Sequence, residues 1–357
     1  MSSLVYGARA MALMVAIGFV FLGATSEAQD VAPAIGEPQG IELHLDQQRG
    51  AATRPANYWY HIRRARTEAG RVAPLSGPSG ADTAKLGHAA KAVPAAGIAR
   101  PGFFPADLDN FGGNVVQTAQ SFNIYINCGQ SDSCWGNPTQ FLNDVGASKF
   151  IHVVDQYVGA RGNNRYILSP KFFFVNVNVS LLTIDDVTNL VHQAAQFTNG
   201  GGLNRIFHLF IPQGIDVCSD ANQTTCYSPD NPSTFSFCAF HSNVSFNDTG
   251  DILFTVEPFQ DIDGCAAAPP NPNSQLIDST NSVLSHELFE TITDPQGQTW
   301  FSEMSNPERG NEIGDICQGV FDQNGEEIIP SYVLVKGRNY ETQLEYSNKV
   351  DGCTNAP

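Results

Sequence analysis

The chain has 357 residues and carries 36 Asp or Glu against 19 Lys or Arg, which gives a formal net charge of −17 at pH 7. This acidic balance argues against a nucleic-acid partner, because binding to phosphate groups needs a basic surface. Hydrophobic residues make up 42% of the chain, which is enough for a folded domain with a sizeable core and argues against a disordered protein.

The first 28 residues have the organisation of a secretory signal peptide. Arg9 precedes an apolar run at 10–24, and Ser26 and Ala28 place small residues where a signal peptidase cleaves. The apolar run is shorter than a typical membrane-spanning helix. We therefore expect a secreted protein, extracellular or periplasmic, without membrane attachment after cleavage; an uncleaved membrane anchor is the alternative.

Residues 29–105 are rich in Ala, Gly and Pro and show no sustained helical or strand period, which is typical of a linker or a propeptide. We expect only the aromatic patch at 58–62 to dock on the rest of the protein. The acidic excess lies in residues 106–357, which hold 29 Asp or Glu against 9 Lys or Arg.

Residues 106–357 are predicted to form one α+β domain. Hydrophobic periodicity predicts strands at 114–126, 172–179, 206–211, 234–240 and 251–258, and helices at 138–145, at 183–197 with Thr183 as cap, and at about 278–293. Asn324-Gly325 and Gly337-Arg338 indicate two terminal hairpins.

The eight cysteines are predicted to form four disulfides, because an even number of cysteines in a secreted chain favours such bridges. Proximity favours Cys128 with Cys134 and Cys218 with Cys226, and it leaves Cys238 with Cys265 and Cys317 with Cys353 as weaker pairings. Sequence spacing alone does not choose among the many connectivities. The cysteines lack the paired spacing of a zinc ribbon, so we interpret them as structural.

The helix predicted at 278–293 carries the most informative pattern in the chain. His286 and Glu290 are four residues apart, so they share a helix face about 6 Å apart in rise and can reach one ion. Glu287 is placed to act on water beside that ion, which makes it the predicted catalytic residue. Leu284, Leu288 and Ile292 form an apolar stripe on the opposite side, so the polar face should line a cleft.

The ends of this helix are also predicted. Asp278 or Ser279 can cap the helix, and Pro295 ends it.

A third metal ligand is predicted 22 residues after Glu290, at Glu312. Asp315 follows within one helical turn and is predicted to hydrogen-bond the free ring nitrogen of His286, or to serve as an alternative ligand. Asp294 is a weaker alternative, since it would lie about 12 Å along a straight helix from His286. His241 and the histidines at 152, 192 and 208 are expected to be structural residues rather than ligands.

The pair of motifs HExxE and NExxD resembles the HExxH and NExxxD arrangement of thermolysin-like metallopeptidases. That resemblance implies a zincin-like domain, with a mixed sheet, a backing helix and the motif helix, in which Glu312 is the third zinc ligand and Asp315 supports the site. By the same analogy, the strand at 251–258 would be a sheet edge that binds an extended peptide. Two departures are clear, because Glu290 replaces a histidine and the second motif is one residue shorter. We expect one divalent metal, zinc in preference to manganese or calcium, although a ligand set with two carboxylates makes the latter two competitive.

A second resemblance covers about 115–357. The strings SHELFETITDP and EIGDIC, the closing QLEYSN with Gly352-Cys353, and weaker stretches at 140–150 and 155–157 are similar to the exordium-like, or phosphate-induced, secreted proteins. This resemblance implies secretion and supplies no established reaction.

Two hypotheses follow for function. One is a secreted metal-dependent hydrolase, a peptidase in which metal-activated water attacks a peptide or another extracellular polymer. The other is a non-catalytic extracellular or cell-surface protein that keeps a metal or an ion-pair network as structure. A glycosidase with paired carboxylates is a third and weaker alternative. The sequence leaves open both the oligomeric state and whether the protein is an enzyme.

Overall fold

The computed structural model describes residues 38–46, 50–62, 64–66, 72–74, 107–129, 132–159, 162, 164–267, 272–302, 311–318, 331–335 and 337–357. The predicted signal peptide, most of the segment 29–105 and the predicted Asn324-Gly325 hairpin lie outside these residues.

The described residues form five α-helices and 19 strands. The strands are β1 Gln39–Glu42, β2 Ala52–Ile62, β3 Arg64–Arg66, β4 Val72–Pro74, β5 Asp109–Asn110, β6 Ala119–Ile126, β7 Tyr166–Leu168, β8 Lys171–Val175, β9 Leu181–Leu182, β10 Arg205–Ile211, β11 Asp216–Cys218, β12 Cys226–Tyr227, β13 Phe237–Phe246, β14 Gly250–Pro258, β15 Trp300–Phe301, β16 Ser331–Val335, β17 Arg338–Thr342, β18 Glu345–Ser347 and β19 Gly352–Thr354. The helices are α1 Asp132–Trp135, α2 Pro138–Val145, α3 Asp155–Val158, α4 Ile184–Phe197 and α5 Gln275–Thr293, with 3-10 turns at Phe150–Val154 and Asp315–Cys317.

A mixed sheet with the order β1-β8-β6-β10-β14-β13-β2 forms the centre of the fold. An additional strand, β7, pairs with β6. The strands from β1 to β14 in this order run parallel, while β13 is antiparallel to both β14 and β2. The predicted α+β class, with a multi-stranded sheet and few helices, is confirmed.

The two faces of the sheet carry separate cores, because successive side chains of a strand point to opposite faces. The face that packs against α4 is apolar and includes Phe122, Ile124, Phe207, Leu209, Phe254 and Val256. The other face packs with α5 and contributes fewer apolar side chains, among them Tyr125, Phe210 and Leu253. The sheet therefore has one hydrophobic face and one mixed face. The mixed face packs against α5, which is the motif helix with His286 and Glu290.

Both long helices have polar side-chain caps. Thr183 accepts a hydrogen bond from the backbone N–H of Asp186, whose carboxylate in turn accepts one from the Thr183 backbone, so the predicted cap of α4 is confirmed. The start of α5 lies earlier than predicted, because Ser274 rather than Asp278 or Ser279 caps it. It ends at Thr293, before Pro295 as predicted.

Two strands of the central sheet come from the segment for which the sequence predicts a linker or propeptide. β1 pairs with β8, and β2, which contains the aromatic patch at 58–62, pairs with β13. Gln193 of α4 also hydrogen-bonds both backbone groups of His44, at 3.1 and 2.9 Å. The expectation that only the aromatic patch docks is therefore wrong. Cleavage of this segment as a propeptide stays a prediction.

The strand at 250–258 is not an edge of the sheet. β14 pairs with β10 on one side and with β13 on the other, so its backbone groups are already used in the ladder. The expectation that an extended peptide adds to this strand is therefore wrong.

Four disulfides join the eight cysteines in the predicted pairs: Cys128–Cys134, Cys218–Cys226, Cys238–Cys265 and Cys317–Cys353. Disulfides of this number form and persist in oxidising compartments. Within the described part of the chain, none of the helices combines the length and apolar character needed to cross a bilayer.

The buried histidine His208 should make stability depend on pH. Its Nδ1 lies 2.9 Å from Thr255 Oγ1 and its Nε2 lies 3.1 Å from Ser121 Oγ, and burial lowers its pKa from 6.5 to about 3. Between these values the unfolded chain binds a proton that the folded protein excludes. The contribution of His208 to stability is therefore complete above pH 6.5 and falls as the pH drops towards 3.

We expect His208→Gln to reduce the slope of the free energy of unfolding against pH by about 1 kcal/mol per pH unit between pH 6 and 4. Urea denaturation of the parent and the variant at several pH values measures it, and the exposed His44→Gln variant is the control. Parallel pH profiles for the parent and His208→Gln would contradict the assignment.

Candidate metal centre

A row of polar side chains crosses the mixed face of the sheet. The register places His241 of β13 opposite Thr255 of β14, and Thr255 opposite His208 of β10. Their chain neighbours Phe240 and Phe254 belong to the core on the other face. The alternation of the strands therefore directs His241 towards α5, which packs on β13 and β14.

The motif helix buries both of its sides. Leu284, Leu288 and Ile292 belong to the hydrophobic core, as the sequence predicts. On the polar side, His286 is fully buried and Glu290 is 1% exposed. The polar face therefore meets the sheet in an enclosed cluster, and the expectation that it lines a cleft is wrong.

The second motif folds against this helix through its own backbone. The backbone N–H of Asp315 donates to Glu290 Oε1 at 3.1 Å. The N–H groups of Asn311 and Glu312 donate to Asp315 Oδ2 at 3.0 and 3.3 Å. This arrangement leaves Asp315 Oδ1 directed at His286, 3.7 Å from its Nε2.

Potential ligand atoms gather in two groups that share one residue. The first group contains His286, Glu290 and Asp315, and the second contains His241, Glu290 and Glu312; in each group the ligand atoms lie within 4.8 Å of one another. His286 Nε2 is 3.1 Å from Glu290 Oε1, and His241 Nε2 is 3.7 Å from Glu312 Oε1. Ligands placed about 2.1 Å from a tetrahedral ion are about 3.4 Å apart, so both distances suit a shared ion.

The residues present fit a divalent metal. Neither side-chain oxygen of Glu312 accepts a hydrogen bond from the described residues, and the same holds for Glu290 Oε2 and Asp315 Oδ1. All three residues are at most 4% exposed. Buried polar atoms are normally paired, and carboxylate oxygens with imidazole nitrogens are ligands of zinc and manganese. These oxygens could therefore accept a cation as their partner.

The electrostatics of the cluster also favour a cation. Burial opposes ionisation of Glu290, yet the charges of His286 and His241 hold the pKa of its carboxyl well below the usual range. Burial and the charge of Glu290 raise the pKa of Glu312 and of Asp315 well above the usual range. Burial opposes protonation of His286, but the neighbouring Glu290 outweighs it and raises its pKa. A cation bound here would take the place of protons.

The predicted ligands do not all fall in one group. Glu290 belongs to both groups, but His286 and Glu312 belong to different ones. Asp294 belongs to neither, and its Oδ1 accepts hydrogen bonds from the backbone N–H groups of Gln298 and Thr299 at 2.6 and 2.8 Å. The carboxylate of Asp294 therefore stabilises the turn that follows α5.

Sequence reasoning missed His241 as a potential ligand. The predicted strand stopped at residue 240, whereas β13 continues to Phe246. The available signal was the alternation of Cys238, Phe240 and Val244 with polar residues at 241 and 243, which is typical of a strand with one apolar face.

The rings of the two histidines are oriented by different partners. Glu287 Oε2 lies 3.2 Å from His241 Nδ1. Gln343 Oε1 lies 3.3 Å from His286 Nδ1, and Gln343 Nε2 donates to the Gly314 carbonyl at 2.6 Å. Gln343 thus occupies the orienting position that the sequence assigned to Asp315, and it leaves His286 Nε2 facing the carboxylates.

Gly314 permits the close approach of the second motif to His286. A Cβ atom at this position would lie 2.5 Å from His286 Nδ1. Any side chain would therefore displace either the ring or the turn that carries Asp315.

Comparison with known proteins gives a short similarity. The chain is 35% identical over 57 residues to Protein EXORDIUM-like 5 of Arabidopsis thaliana, a match that covers 16% of this chain and 15% of that relative. No family model matches the chain, and no solved structure matches it. The similarity agrees with the exordium-like resemblance over a limited stretch and gives no support to a thermolysin-like relationship.

The Cys317–Cys353 disulfide should contribute to metal affinity. Cys317 is the last residue of the 3-10 turn Asp315–Cys317, so the disulfide joins this turn to the C-terminal hairpin. The Tyr346 N–H also donates to the Ile313 carbonyl at 2.9 Å. Both contacts hold the second motif against the hairpin. We expect Cys353→Ser to weaken metal binding about ten-fold, although no ligand atom is removed.

Competition with a chromogenic chelator measures this change. Cys134→Ser, which opens the Cys128–Cys134 bridge, is the matched control and should bind metal like the parent. Equal affinities for all three proteins would contradict the proposed coupling, as would non-reducing peptide maps that pair Cys317 with another cysteine.

Proposed function

We propose that this protein is a secreted metal-dependent hydrolase. The observation that carries the proposal is the convergence of Glu290, Glu312 and Asp315 on two histidines in a buried cluster, where four carboxylate oxygens accept no hydrogen bond from the described residues. Buried carboxylates that lack such partners are costly unless a cation neutralises them.

His286, Glu290 and Glu312 remain the proposed ligands, and the geometry adds His241 and Asp315. Zinc suits the two imidazoles, while the carboxylates also suit manganese. When bound, the ion supplies Lewis acidity that polarises a scissile carbonyl and lowers the pKa of water.

Glu287 is the proposed general base. It follows His286 directly on α5 and is fully buried beside the ligands. In this role the Glu287 carboxylate accepts a proton from the attacking water and passes it to the leaving group. Its contact with His241 Nδ1 gives it a second role, since the carboxylate also orients that imidazole.

The proposed substrate is a peptide or another extracellular polymer. The amide carbonyl of a peptide is the group that a Lewis acid with a neighbouring carboxylate base is suited to attack. Since β14 is an interior strand, the substrate does not bind by extending the sheet beside it. Secretion is supported by the four disulfides and by the exordium-like segment.

A second candidate function is favoured by one observation. All five potential ligands are at most 4% exposed, and His241 and His286 are fully buried. Structural metal sites are closed in this way, whereas catalytic sites keep a position open for water or substrate. The alternative is therefore a non-catalytic extracellular protein whose metal stabilises the fold.

Glu287→Gln tests the hydrolase. We expect the variant to retain metal and to lose hydrolysis by a factor of about 10² to 10⁴, because a glutamine cannot accept the proton. Cleavage of labelled casein and of a quenched-peptide library measures activity, and elemental analysis measures metal content. Glu257→Gln is the matched control, because Glu257 is also buried and belongs to neither group of potential ligands.

Three results would revise the proposal. Equal hydrolysis by Glu287→Gln and the parent would eliminate Glu287 as the base. If Glu287→Gln lost its metal, the remaining role of Glu287 would be to orient His241. A parent that cleaves none of the substrates but unfolds when a chelator is added would favour the non-catalytic candidate.

A further inference from the structure

We propose that the centre holds two metal ions bridged by the carboxylate of Glu290. The inference rests on the proposed metal site, which it deepens, but it does not depend on hydrolysis. The first ion would be bound by His286, Glu290 and Asp315, and the second by His241, Glu290 and Glu312.

The two oxygens of Glu290 serve different sides of the cluster. Oε1 lies 3.1 Å from His286 Nε2, while Oε2 lies 3.4 Å from His241 Nδ1. Each side also has one carboxylate of its own, Asp315 beside His286 and Glu312 beside His241. The cluster therefore has two halves, each with an imidazole and a terminal carboxylate, around one shared carboxylate. In the first half Nε2 of His286 faces both carboxylates, whereas in the second half Glu290 lies at Nδ1 of His241 and Glu312 at Nε2.

A single ion does not explain both halves. Two atoms that each lie about 2.0 to 2.2 Å from one ion are at most about 4.4 Å apart. The described residues form two separate groups under a limit of 4.8 Å, and they do not merge into one group of five. An ion bound in one half therefore leaves the terminal carboxylate of the other half outside its reach.

Charge leads to the same conclusion. The buried carboxylates of Glu290, Glu312 and Asp315 meet here beside that of Glu287. Among the described residues no lysine or arginine forms an ion pair with Glu290, Glu312 or Asp315. If one dication occupied the half of His286, both oxygens of Glu312 would stay buried without a hydrogen bond from the described residues. Buried polar oxygens normally have a partner, and a second dication would supply one for both oxygens of Glu312.

A bridged pair narrows the chemistry of the proposed hydrolase. Two bound ions would hold the attacking water and an oxygen of the substrate between them, as in aminopeptidases and phosphatases. The centre would therefore suit a substrate with an oxygen that both ions can contact, such as a peptide carbonyl or a phosphate ester.

Metal stoichiometry tests the inference on the unaltered protein. The chain is stripped with a chelator, reloaded with Mn²⁺ alone, desalted and analysed by native mass spectrometry and elemental analysis. We expect two ions per chain. Electron paramagnetic resonance should then show exchange coupling between the two Mn²⁺ ions, a signature that two distant sites would not produce.

Matched substitutions then assign the halves. Glu312→Gln and Asp315→Asn should each reduce the stoichiometry from two ions to one and abolish the coupling. Glu290→Gln should weaken binding of both ions, while Glu257→Gln should retain two. Far-ultraviolet circular dichroism checks that each variant is folded, and the measurements on the parent decide the question if a variant is not.

The outcomes separate this inference from the proposed function. One ion per chain without exchange coupling would overturn the bridged pair and leave a single-ion hydrolase in place. Two uncoupled ions would also overturn it. A parent that binds no ion after reloading would overturn both proposals, whereas two coupled ions without detectable hydrolysis would support the bridged pair alone.

Discussion

The placement of Glu290 between two histidines is the contact on which the rest of the centre depends. One oxygen of its buried carboxylate faces His286 and accepts the Asp315 N–H, and the other faces His241. A motif helix, a sheet strand and the second motif thus meet at a single side chain. Since an isolated charge is expensive in the protein interior, each of these elements must be held firmly by the fold around it.

The fold meets that requirement by giving the sheet two unlike faces. The face against α4 is almost wholly apolar and supplies a conventional hydrophobic core. The opposite face combines apolar side chains with the polar row that includes His208 and Thr255, and α5 packs on β13 and β14 of this face. The C-terminal hairpin adds Gln343, which joins His286 to the Gly314 carbonyl. The polar centre is thereby enclosed by elements that are distant in sequence.

Much of this arrangement could be predicted where one local period governs the structure. The helix predicted at about 278–293, which begins at Gln275 in the structure, and its apolar and polar faces follow from the 3.6-residue repeat. The cap at Thr183 follows from a short side-chain motif. Non-local pairing could not be read in the same way. The strands at Gln39–Glu42 and Ala52–Ile62 lie in an Ala/Gly/Pro-rich segment, and hydrogen bonds to the sheet hold them there rather than their own periodicity. His241 was missed because the predicted strand ended at residue 240, and its place in the row of polar side chains also depends on strand register across β14.

The link between Cys317 and Cys353 has a consequence for the order in which the mature protein is assembled. A chain in a reducing compartment lacks this link, so the segment with Glu312 and Asp315 is less firmly tied to the C-terminal hairpin. If the cluster binds metal as proposed, it would reach its full affinity only after thiol oxidation. The ion would then be acquired in the compartment where oxidation occurs, and the cytoplasmic metal pool would have little influence on which element is bound.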